Sequence, residues 1–308
     1  MTKVFIDGSA GTTGLRIRDR LSSRPDLDLI ELPEALRKDP SARRDALNSA
    51  DIAFLCLPDD AARESASLVT NDRTAVIDTS TAHRTDPAWT YGFPELRGQR
   101  ERLKSARRIA NPGCHATGFI SLAAPLTEAG AIPRSTVLSC FSLTGYSGGG
   151  KKMIAEYESP DRDPLLEAPR LYGLSQTHKH LPEMAALCGL DRAPVFCPIV
   201  APYYAGMEVV IPLSGTELSL SREQLSDLYA DYYADEPFIS VSAPGGVGGF
   251  LSAAALSGRD SLVISVEGND DRLTLVARFD NLGKGASGAA IQNMNLALGL
   301  PESEGLVL

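Results

Sequence analysis

The N-terminal segment constrains the fold more than any other part of the chain. A short apolar run, residues 3–7, leads directly into a segment with a glycine at every third position, and residues 15–21 then follow a helical pattern. A strand, a glycine turn and a helix in this order start a dinucleotide-binding fold, in which backbone N–H groups at the helix start face a pyrophosphate. The glycine spacing is wider than the usual fingerprint, and an ordinary structural turn is the alternative. We expect a nucleotide to contact Gly8, Ser9, Ala10, Gly11, Thr12, Thr13 and Gly14.

Strand-like and helix-like segments alternate after this turn. The apolar runs at residues 27–32, 51–58 and 74–80 have the composition of buried strands, and residues 59–69 fit a crossover helix. Such alternation predicts a parallel, doubly wound sheet of the Rossmann type. Ser80, at the end of one predicted strand, is expected near the cofactor.

The residues that follow the second predicted strand bear on the choice of cofactor. Glu31 can accept a hydrogen bond from a ribose 2′-hydroxyl, which favours NAD. Two basic pairs, Arg37 with Lys38 and Arg43 with Arg44, come soon afterwards and can hold the 2′-phosphate of NADP instead. The residues alone leave this choice open.

Cys114 lies between a Pro-Gly breaker and an apolar run of helical length, residues 116–129. At a helix N-terminus, backbone N–H groups and the positive end of the dipole lower a thiol pKa that is about 8.5 in a free cysteine. We therefore interpret Cys114 as a nucleophile, with a buried apolar filler as the ordinary alternative. Pro125 is expected to kink the helix or divide it into two pieces.

The pattern changes after Cys114 to strands of an antiparallel kind. These predicted strands are residues 136–143, 195–200, 207–213, 262–266 and 272–279. Residues 222–234 fit a helix capped by Ser221, and residues 287–298 fit a final helix. The sequence therefore predicts a second, α+β domain with a mostly antiparallel sheet.

Two polar segments of this second domain are candidates for the substrate site. Residues 144–152 contain three consecutive glycines, which let a backbone approach a ligand closely, although a flexible connection is the alternative. His178 and His180 precede Pro182, which is suited to the first turn of a helix. One of these histidines is a candidate acid/base because histidine titrates near neutral pH, and His115 is a competitor beside Cys114.

Seven blocks spread over the whole chain carry a specific combination of motifs. They are residues 8–14, 78–84, 91–96, 111–114, 145–151, 178–183 and 280–288. Together these blocks resemble the N-acetyl-γ-glutamyl-phosphate reductase family in its short form, type 2. The resemblance implies the fold of the aspartate-semialdehyde and glyceraldehyde-phosphate dehydrogenases, NADPH as reductant, and a cysteine that forms a thioester. It implies that Cys114 is this cysteine and that His180 is the acid/base.

The resemblance also implies a reaction and further site residues. The reaction is the reduction of N-acetyl-γ-glutamyl phosphate to N-acetylglutamate 5-semialdehyde and phosphate, in arginine biosynthesis. Further contacts to the cofactor are expected from Arg37, Ser80, Gly148 and Asn281. The substrate is expected to contact Ser147 and Gly148, with Arg84 as the anchor of a phosphate or carboxylate because its planar fork suits either anion.

The same resemblance implies the domain organisation. Residues 1–113 are expected to form the NADP-binding Rossmann domain, completed by a C-terminal helix within residues 285–308. Residues 114–284 are expected to form the catalytic, substrate-binding and oligomerisation domain of a homodimer or homotetramer.

Composition excludes several classes of function. A net charge of −9 disfavours a nucleic-acid partner, and no apolar run approaches membrane-spanning length. The N-terminus has no signal-peptide pattern. Five scattered cysteines argue against a disulfide framework and against metal-ligand spacing. We therefore expect a cytoplasmic enzyme without a metal, acting on a small acyl phosphate.

Three other functions agree with part of this pattern. An aspartate-semialdehyde dehydrogenase-like reductase of another acyl phosphate would share the fold and the cysteine. A cysteine hydrolase would need no nucleotide, and the N-terminal glycine turn argues against it. A non-catalytic dinucleotide-binding protein would have no use for a cysteine at a helix N-terminus.

Overall fold

The structure is a computed structural model that describes residues 1–308, apart from the side chain of Glu217. It divides into two units. Unit 1 comprises Met1–Pro112 and Ala286–Leu306, and unit 2 comprises Gly113–Gly285 and Val307–Leu308. Across the described residues, we find no helix with the length and apolar character needed to cross a membrane.

Helices and strands follow one another along the whole chain. The first part contains β1 (Thr2–Asp7), α1 (Thr12–Leu21), β2 (Leu27–Ile30), α2 (Pro40–Ser49), β3 (Ile52–Leu55), α3 (Asp59–Ser67), β4 (Ala75–Asp78), β5 (Thr90–Tyr91), α4 (Gln99–Ser105) and β6 (Arg108–Ala110). The middle part contains α5 (Cys114–Glu128), β7 (Ser139–Gly145), α6 (Gly150–Glu158), β8 (Arg170–Leu171), α7 (Leu181–Leu187), β9 (Val195–Ala201), β10 (Met207–Ser214), α8 (Arg222–Tyr232), β11 (Ile239–Val241), β12 (Leu262–Asn269) and β13 (Arg272–Phe279). The last helix is α9 (Gly288–Ala297).

Unit 1 is built on a six-stranded sheet in the order β2-β1-β3-β4-β6-β5, with parallel pairing between its strands. Successive side chains of β1 point to opposite faces. Val4 and Ile6 join the core formed with α1, α4 and α9, whereas Phe5 joins the core formed with α2 and α3. Because both faces are buried, the strands are continuous apolar runs. The predicted doubly wound sheet is therefore confirmed.

The strands that follow β1 along the chain lie on both sides of it, with β2 on one side and β3 on the other, so the strand order reverses at β1. In open α/β sheets, ligands bind outside the carboxyl ends of the strands at such a point. Gly8 follows β1 there with a φ of +87°, and a Cβ atom at this position would collide with the carbonyl oxygen of Cys56. Only glycine therefore fits the start of the turn.

Unit 2 is built on a seven-stranded sheet in the order β11-β12-β13-β10-β7-β9-β8. The pairs β7·β9 and β11·β12 are parallel and the others antiparallel, which confirms the predicted mostly antiparallel sheet. Gly118 lets α5 approach the sheet closely, because a Cβ atom there would collide with Val209 of β10. Helix α8 begins after Ser221, as predicted, and Ser221 forms a capping box with Gln224.

Helix α5 runs unbroken through Pro125, so the expected division into two pieces is wrong. Proline has no N–H to bond the carbonyl of Ser121, one helical turn earlier. The hydroxyl of Tyr233 donates to this carbonyl at 2.8 Å, and that of Tyr229 donates to the carbonyl of Leu122 at 2.6 Å. The two tyrosines thus satisfy carbonyl groups around the proline, which allows the helix to continue.

The glycine-rich segment, residues 144–152, forms regular secondary structure instead of a flexible connection. A 3-10 turn, Tyr146–Gly149, follows β7 directly, and α6 begins at Gly150 with Lys151 in its first turn. Gly150 adopts a φ of +76°, a conformation that glycine reaches without strain. The sequence patterns do not predict α6, and they also miss α2, α4, β5, β6, β8 and β11.

Candidate active site

Cys114 is the first residue of α5, and the preceding Gly113 is an extended N-cap residue. Gly113 has no side chain with which to cap this helix, and the positive end of the helix dipole at Cys114 stabilises a thiolate. The side chain is neither buried nor fully exposed, and it is not part of a disulfide. The predicted position at a helix N-terminus is therefore observed.

Glu183 connects the start of α5 to α7. Its Oε2 atom accepts a hydrogen bond from the backbone N–H of Gly113 at 3.2 Å, and the side chain is only 1% exposed. His180 is the N-cap residue of α7, and Pro182 lies in the first turn, as predicted. The hydrogen bond therefore holds the start of α7, which follows His180, next to the start of α5, where Cys114 is the first residue.

Three histidines form a cluster in unit 2. The ring centroids of His115 and His180 are 5.6 Å apart, those of His115 and His178 are 5.5 Å apart, and those of His178 and His180 are 4.7 Å apart. The Nδ1 atom of His178 accepts a hydrogen bond from the backbone N–H of His180 at 3.2 Å. Among the described residues, no group of three or more His, Cys, Asp or Glu side chains has the arrangement of a metal site.

His115 is held on both sides of its ring. Its Nδ1 atom lies 2.7 Å from the hydroxyl oxygen of Ser142, and its Nε2 atom lies 2.6 Å from that of Tyr172. Burial and, to a smaller extent, the charge of the nearby His178 together lower the pKa of His115 to about 3. His115 is therefore neutral near pH 7 and is a poor proton donor there.

Tyr172 is a neighbour of this site that the sequence motifs miss. Burial raises the pKa of its phenol, and the charge of Cys114 adds to the effect, so the hydroxyl keeps its proton at neutral pH. Tyr172 lies beyond the end of the short strand β8, and no spacing along the chain relates it to His115. Only the fold brings the two residues together.

The structure brings together three residues that the sequence assigned to ligands. Asn281 donates from Nδ2 to the hydroxyl of Ser147 at 3.0 Å and accepts at Oδ1 from the N–H of Gly206 at 2.9 Å. A Cβ atom on Gly148 would lie 3.5 Å from the same Nδ2 atom. The segment after Asn281 also reaches the cysteine, because a Cβ atom on Gly285 would lie 3.0 Å from that of Cys114.

Unit 1 contains a cavity of about 380 Å³ at the carboxyl ends of β1 and β2. Its lining includes Gly8, Ser9 and Ala10 of the turn, with Arg18, Glu31, Arg37 and Lys38. A Cβ atom on Gly14 would collide with the carbonyl oxygen of Gly8, whereas one on Gly11 would have only an ordinary contact at 3.4 Å. Gly14 is thus needed for packing, whereas a side chain at Gly11 would meet only ordinary contacts at the start of α1. These features fit the pyrophosphate and ribose of a dinucleotide.

The basic residues near this cavity differ in their partners. Arg43 is buried and contacts Oδ2 of Asp7 at 2.9 Å, an oxygen that also accepts from the hydroxyl of Ser65 at 2.6 Å. Arg44 lies 3.6 Å from Asp45 and does not line the cavity. The interpretation of this pair as 2′-phosphate ligands is therefore not supported. Arg37 is exposed and donates to the carbonyl of Leu32 at 3.4 Å.

Ser80 and Arg84 lie in a buried polar network at the end of β4. Asp78 accepts from the hydroxyl of Ser80 at 2.8 Å and lies 2.6 Å from Nδ1 of His83. Arg84 donates to the carbonyl of Asn111 at 2.9 Å and to that of Thr79 at 3.1 Å. These contacts join the segments that follow β4 and β6, so Arg84 has a structural role, and its role as a substrate anchor stays a prediction.

Comparison with known proteins gives a consistent result. The family models described as "Semialdehyde dehydrogenase, NAD binding domain" and "Semialdehyde dehydrogenase, dimerisation domain" match residues 33–106 and 114–281. A Rhizobium leguminosarum bv. trifolii protein named N-acetyl-γ-glutamyl-phosphate reductase is 47% identical over 305 residues, which cover 96% of this chain and 98% of the relative. A protein of the same name from Brucella anthropi is 48% identical over 307 residues, covering 96% of this chain and 98% of the relative.

Solved structures of aspartate semialdehyde dehydrogenases share the fold. The Vibrio cholerae enzyme II matches with a TM-score of 0.70 at 16% identity, covering 97% of this chain and 98% of that chain. The Candida albicans enzyme, solved with NADP, matches with a TM-score of 0.69 at 15% identity, covering 96% of this chain and 98% of that chain. At these identities the likeness concerns the fold alone.

Proposed function

Because this chain belongs to the N-acetyl-γ-glutamyl-phosphate reductase family, we propose that it reduces N-acetyl-γ-glutamyl phosphate to N-acetylglutamate 5-semialdehyde and phosphate, a step of arginine biosynthesis, with NADPH as the reductant. The observation that carries this proposal is the position of Cys114 at the N-terminus of α5, which a hydrogen bond from Gly113 to Glu183 links to the helix that follows His180. This arrangement suits acyl transfer to a thiolate, followed by release of the acyl group under the control of a histidine.

Cys114 begins the reaction. Its thiolate attacks the carbonyl carbon of the acyl phosphate, a C–S bond forms, and the bond to the phosphate oxygen breaks, so that inorganic phosphate leaves. Backbone N–H groups in the first turn of α5 stabilise the negative charge on the carbonyl oxygen. The product of this step is a thioester on Cys114.

Release of the product needs a hydride and a proton. When bound, the nicotinamide of NADPH would supply the hydride that the carbonyl carbon of the thioester accepts. His180 donates its proton to the sulfur of Cys114 as the C–S bond breaks, and the semialdehyde leaves. His115 does not serve this purpose because burial keeps it neutral near pH 7. His178 supports His180 through the hydrogen bond that it accepts from the backbone of that residue.

We assign the pyrophosphate and the adenosine ribose of the cofactor to unit 1 and the acyl group to unit 2. The glycine turn and the start of α1 are suited to the pyrophosphate, and Arg37 and Lys38 are suited to the 2′-phosphate of NADP. Ser80, Gly148 and Asn281 remain proposed cofactor contacts. Ser147 and Gly148 remain proposed substrate contacts.

We also propose that unit 2 forms the subunit interface of a homodimer or homotetramer. On one face of its sheet, Phe141 is 42% exposed, Val195 48% and Leu171 51%. The same face carries Glu208 directly opposite Arg278, and Oε2 of Glu208 and Nε of Arg278 are buried without hydrogen-bond partners. A second copy of the chain would cover the apolar side chains and supply polar partners. Light scattering of Phe141→Glu, which is expected to be monomeric, tests this proposal, and an unchanged mass would contradict it.

The proposed reaction is tested by following the oxidation of NADPH with N-acetyl-γ-glutamyl phosphate, and the reverse reaction with the semialdehyde, phosphate and NADP. Aspartyl phosphate serves as the control substrate, since a related dehydrogenase would prefer it. We expect turnover with the acetylated substrate and little with aspartyl phosphate. The opposite preference would overturn the proposed substrate, and no turnover with either would overturn the proposed reaction.

A further inference from the structure

An ion pair lies within the cavity of unit 1. Arg18, on α1, contacts Oε1 of Glu31 with both Nε and Nη2 at 2.8 Å. Glu31 follows the end of β2, and both residues line the cavity. The side chains are 42% and 60% exposed, respectively, so a ligand in the cavity can reach them.

The other charged side chains of the cavity have different surroundings. Arg43 and Asp7 form a buried pair with each other. The cations that line the cavity and are not buried are therefore Arg18, Arg37 and Lys38, and the only such anion is Glu31 among the described residues. Arg18 is the cation held by this anion.

We propose that Arg18 is a ligand of the 2′-phosphate of NADP, and that Glu31 competes with this phosphate for Arg18. This inference rests on the proposed use of a nicotinamide dinucleotide. The guanidinium group is always charged and presents a planar fork that matches either a carboxylate or a phosphate. Without a 2′-phosphate, the guanidinium group remains paired with Glu31. With a 2′-phosphate present, the guanidinium group pairs with the ligand, which carries more negative charge.

The competition has a consequence for cofactor choice. Glu31 places a negative charge near a dianionic group, and it also holds the cation that this group needs, so it weakens the binding of NADP. The same carboxylate can accept a hydrogen bond from the 2′-hydroxyl of NAD. The Arg18–Glu31 pair therefore gives a weaker preference for NADP over NAD than Arg18 would give without Glu31.

The test uses two fragments of the cofactors, 2′,5′-ADP and 5′-AMP, whose binding is measured by calorimetry without turnover. Arg18→Ala is expected to weaken 2′,5′-ADP binding about ten- to hundred-fold, the range of one charge-assisted hydrogen bond, and to change 5′-AMP binding less than about twofold. Glu31→Gln is expected to strengthen 2′,5′-ADP binding about three- to tenfold, because it removes the competing charge. In the Arg18→Ala background, Glu31→Gln should give less than half of this gain.

Arg16→Ala is the matched control, because Arg16 is on the same helix but does not line the cavity. It should leave both affinities unchanged. The thermal unfolding midpoint should be nearly equal in all variants, which shows that the fold is intact. Equal losses for both fragments in Arg18→Ala, or unchanged 2′,5′-ADP binding, would overturn the inference while leaving the proposed function in place. If the unchanged protein binds neither fragment, both the inference and the proposed cofactor are wrong.

Discussion

The state of His115 leads to a prediction about acid stability. The pKa of His115 is about 3 in the folded protein, whereas an unfolded chain has a histidine pKa of about 6.5. Below about pH 6.5, the unfolded chain therefore binds a proton that the folded protein does not bind. The stability contributed by neutral His115 is present above the unfolded pKa and is lost as the pH falls from 6.5 towards 3.

The size of this effect follows from linkage. Between pH 7.5 and 5.5, proton uptake by the unfolded chain at this one site lowers the free energy of unfolding by about 1.4 kcal/mol, and by pH 4.5 the loss reaches about 2.7 kcal/mol. His115→Gln replaces the imidazole ring by an amide. The amide can form a hydrogen bond with Ser142 or Tyr172, but it does not titrate. We expect this variant to be less stable than the unchanged protein by about 1–3 kcal/mol at pH 7.5.

Urea unfolding of both proteins at several pH values measures this difference. Other groups titrate in both proteins, so the change of the difference with pH isolates His115. The difference should shrink by about 1.4 kcal/mol at pH 5.5. A difference that is constant from pH 7.5 to 5.5 would show that His115 has the same pKa in the folded and the unfolded protein, and the argument against its role as a proton donor would then fail.

Three further predictions concern catalysis and cofactor binding. Cys114→Ala should abolish turnover and leave NADPH affinity nearly unchanged. Cys114→Ser should be almost as inactive, because a serine hydroxyl is not ionised near neutral pH. Appreciable turnover of either variant in steady-state assays would contradict this prediction. His180→Asn should slow single-turnover product release by about 10²- to 10⁴-fold while the acyl-enzyme still forms, and His178→Asn should have a smaller effect; the reverse order would exchange their roles. Gly11→Val should weaken NADPH binding with little change in unfolding free energy, whereas Gly14→Val should destabilise unit 1 in thermal unfolding; equal destabilisation by both would refute the distinction.

Local sequence signals predicted the parts of the fold that depend on local chemistry. The strands of unit 1 are apolar on both faces, as with Phe5 between Val4 and Ile6, and such runs are recognisable without any partner. Ser221 and Pro182 mark the starts of their helices through hydrogen bonding and backbone geometry within a few residues. The seven motif blocks also identified the family correctly, because they span the whole chain.

Contacts between distant segments could not be predicted in this way. The sequence position of Arg43 suggested a phosphate ligand, but its side chain pairs with Asp7, which lies 36 residues earlier at the end of β1. Pro125 predicts a kinked or divided helix, and the hydroxyl of Tyr233, far along the chain, satisfies the carbonyl that the proline leaves. Helix α6 starts at a glycine, which disfavours helices, so its sequence does not mark its start. The sites themselves remain predictions at the level of single residues.

Unit 1 contains residues from both ends of the chain, and this affects how the protein folds during its synthesis. Ile291 and Met294 of α9 are fully buried in the core that also contains Val4 and Ile6. When the ribosome has made the first part of unit 1, this side of its sheet has α1 and α4 but still lacks α9. The residues of unit 2 that lie in between are continuous from Gly113 to Gly285. We therefore expect unit 2 to become protease-resistant first on the ribosome, reversing the usual order in which N-terminal domains fold before later ones, and proteolysis of stalled nascent chains ending before α9 can establish this order.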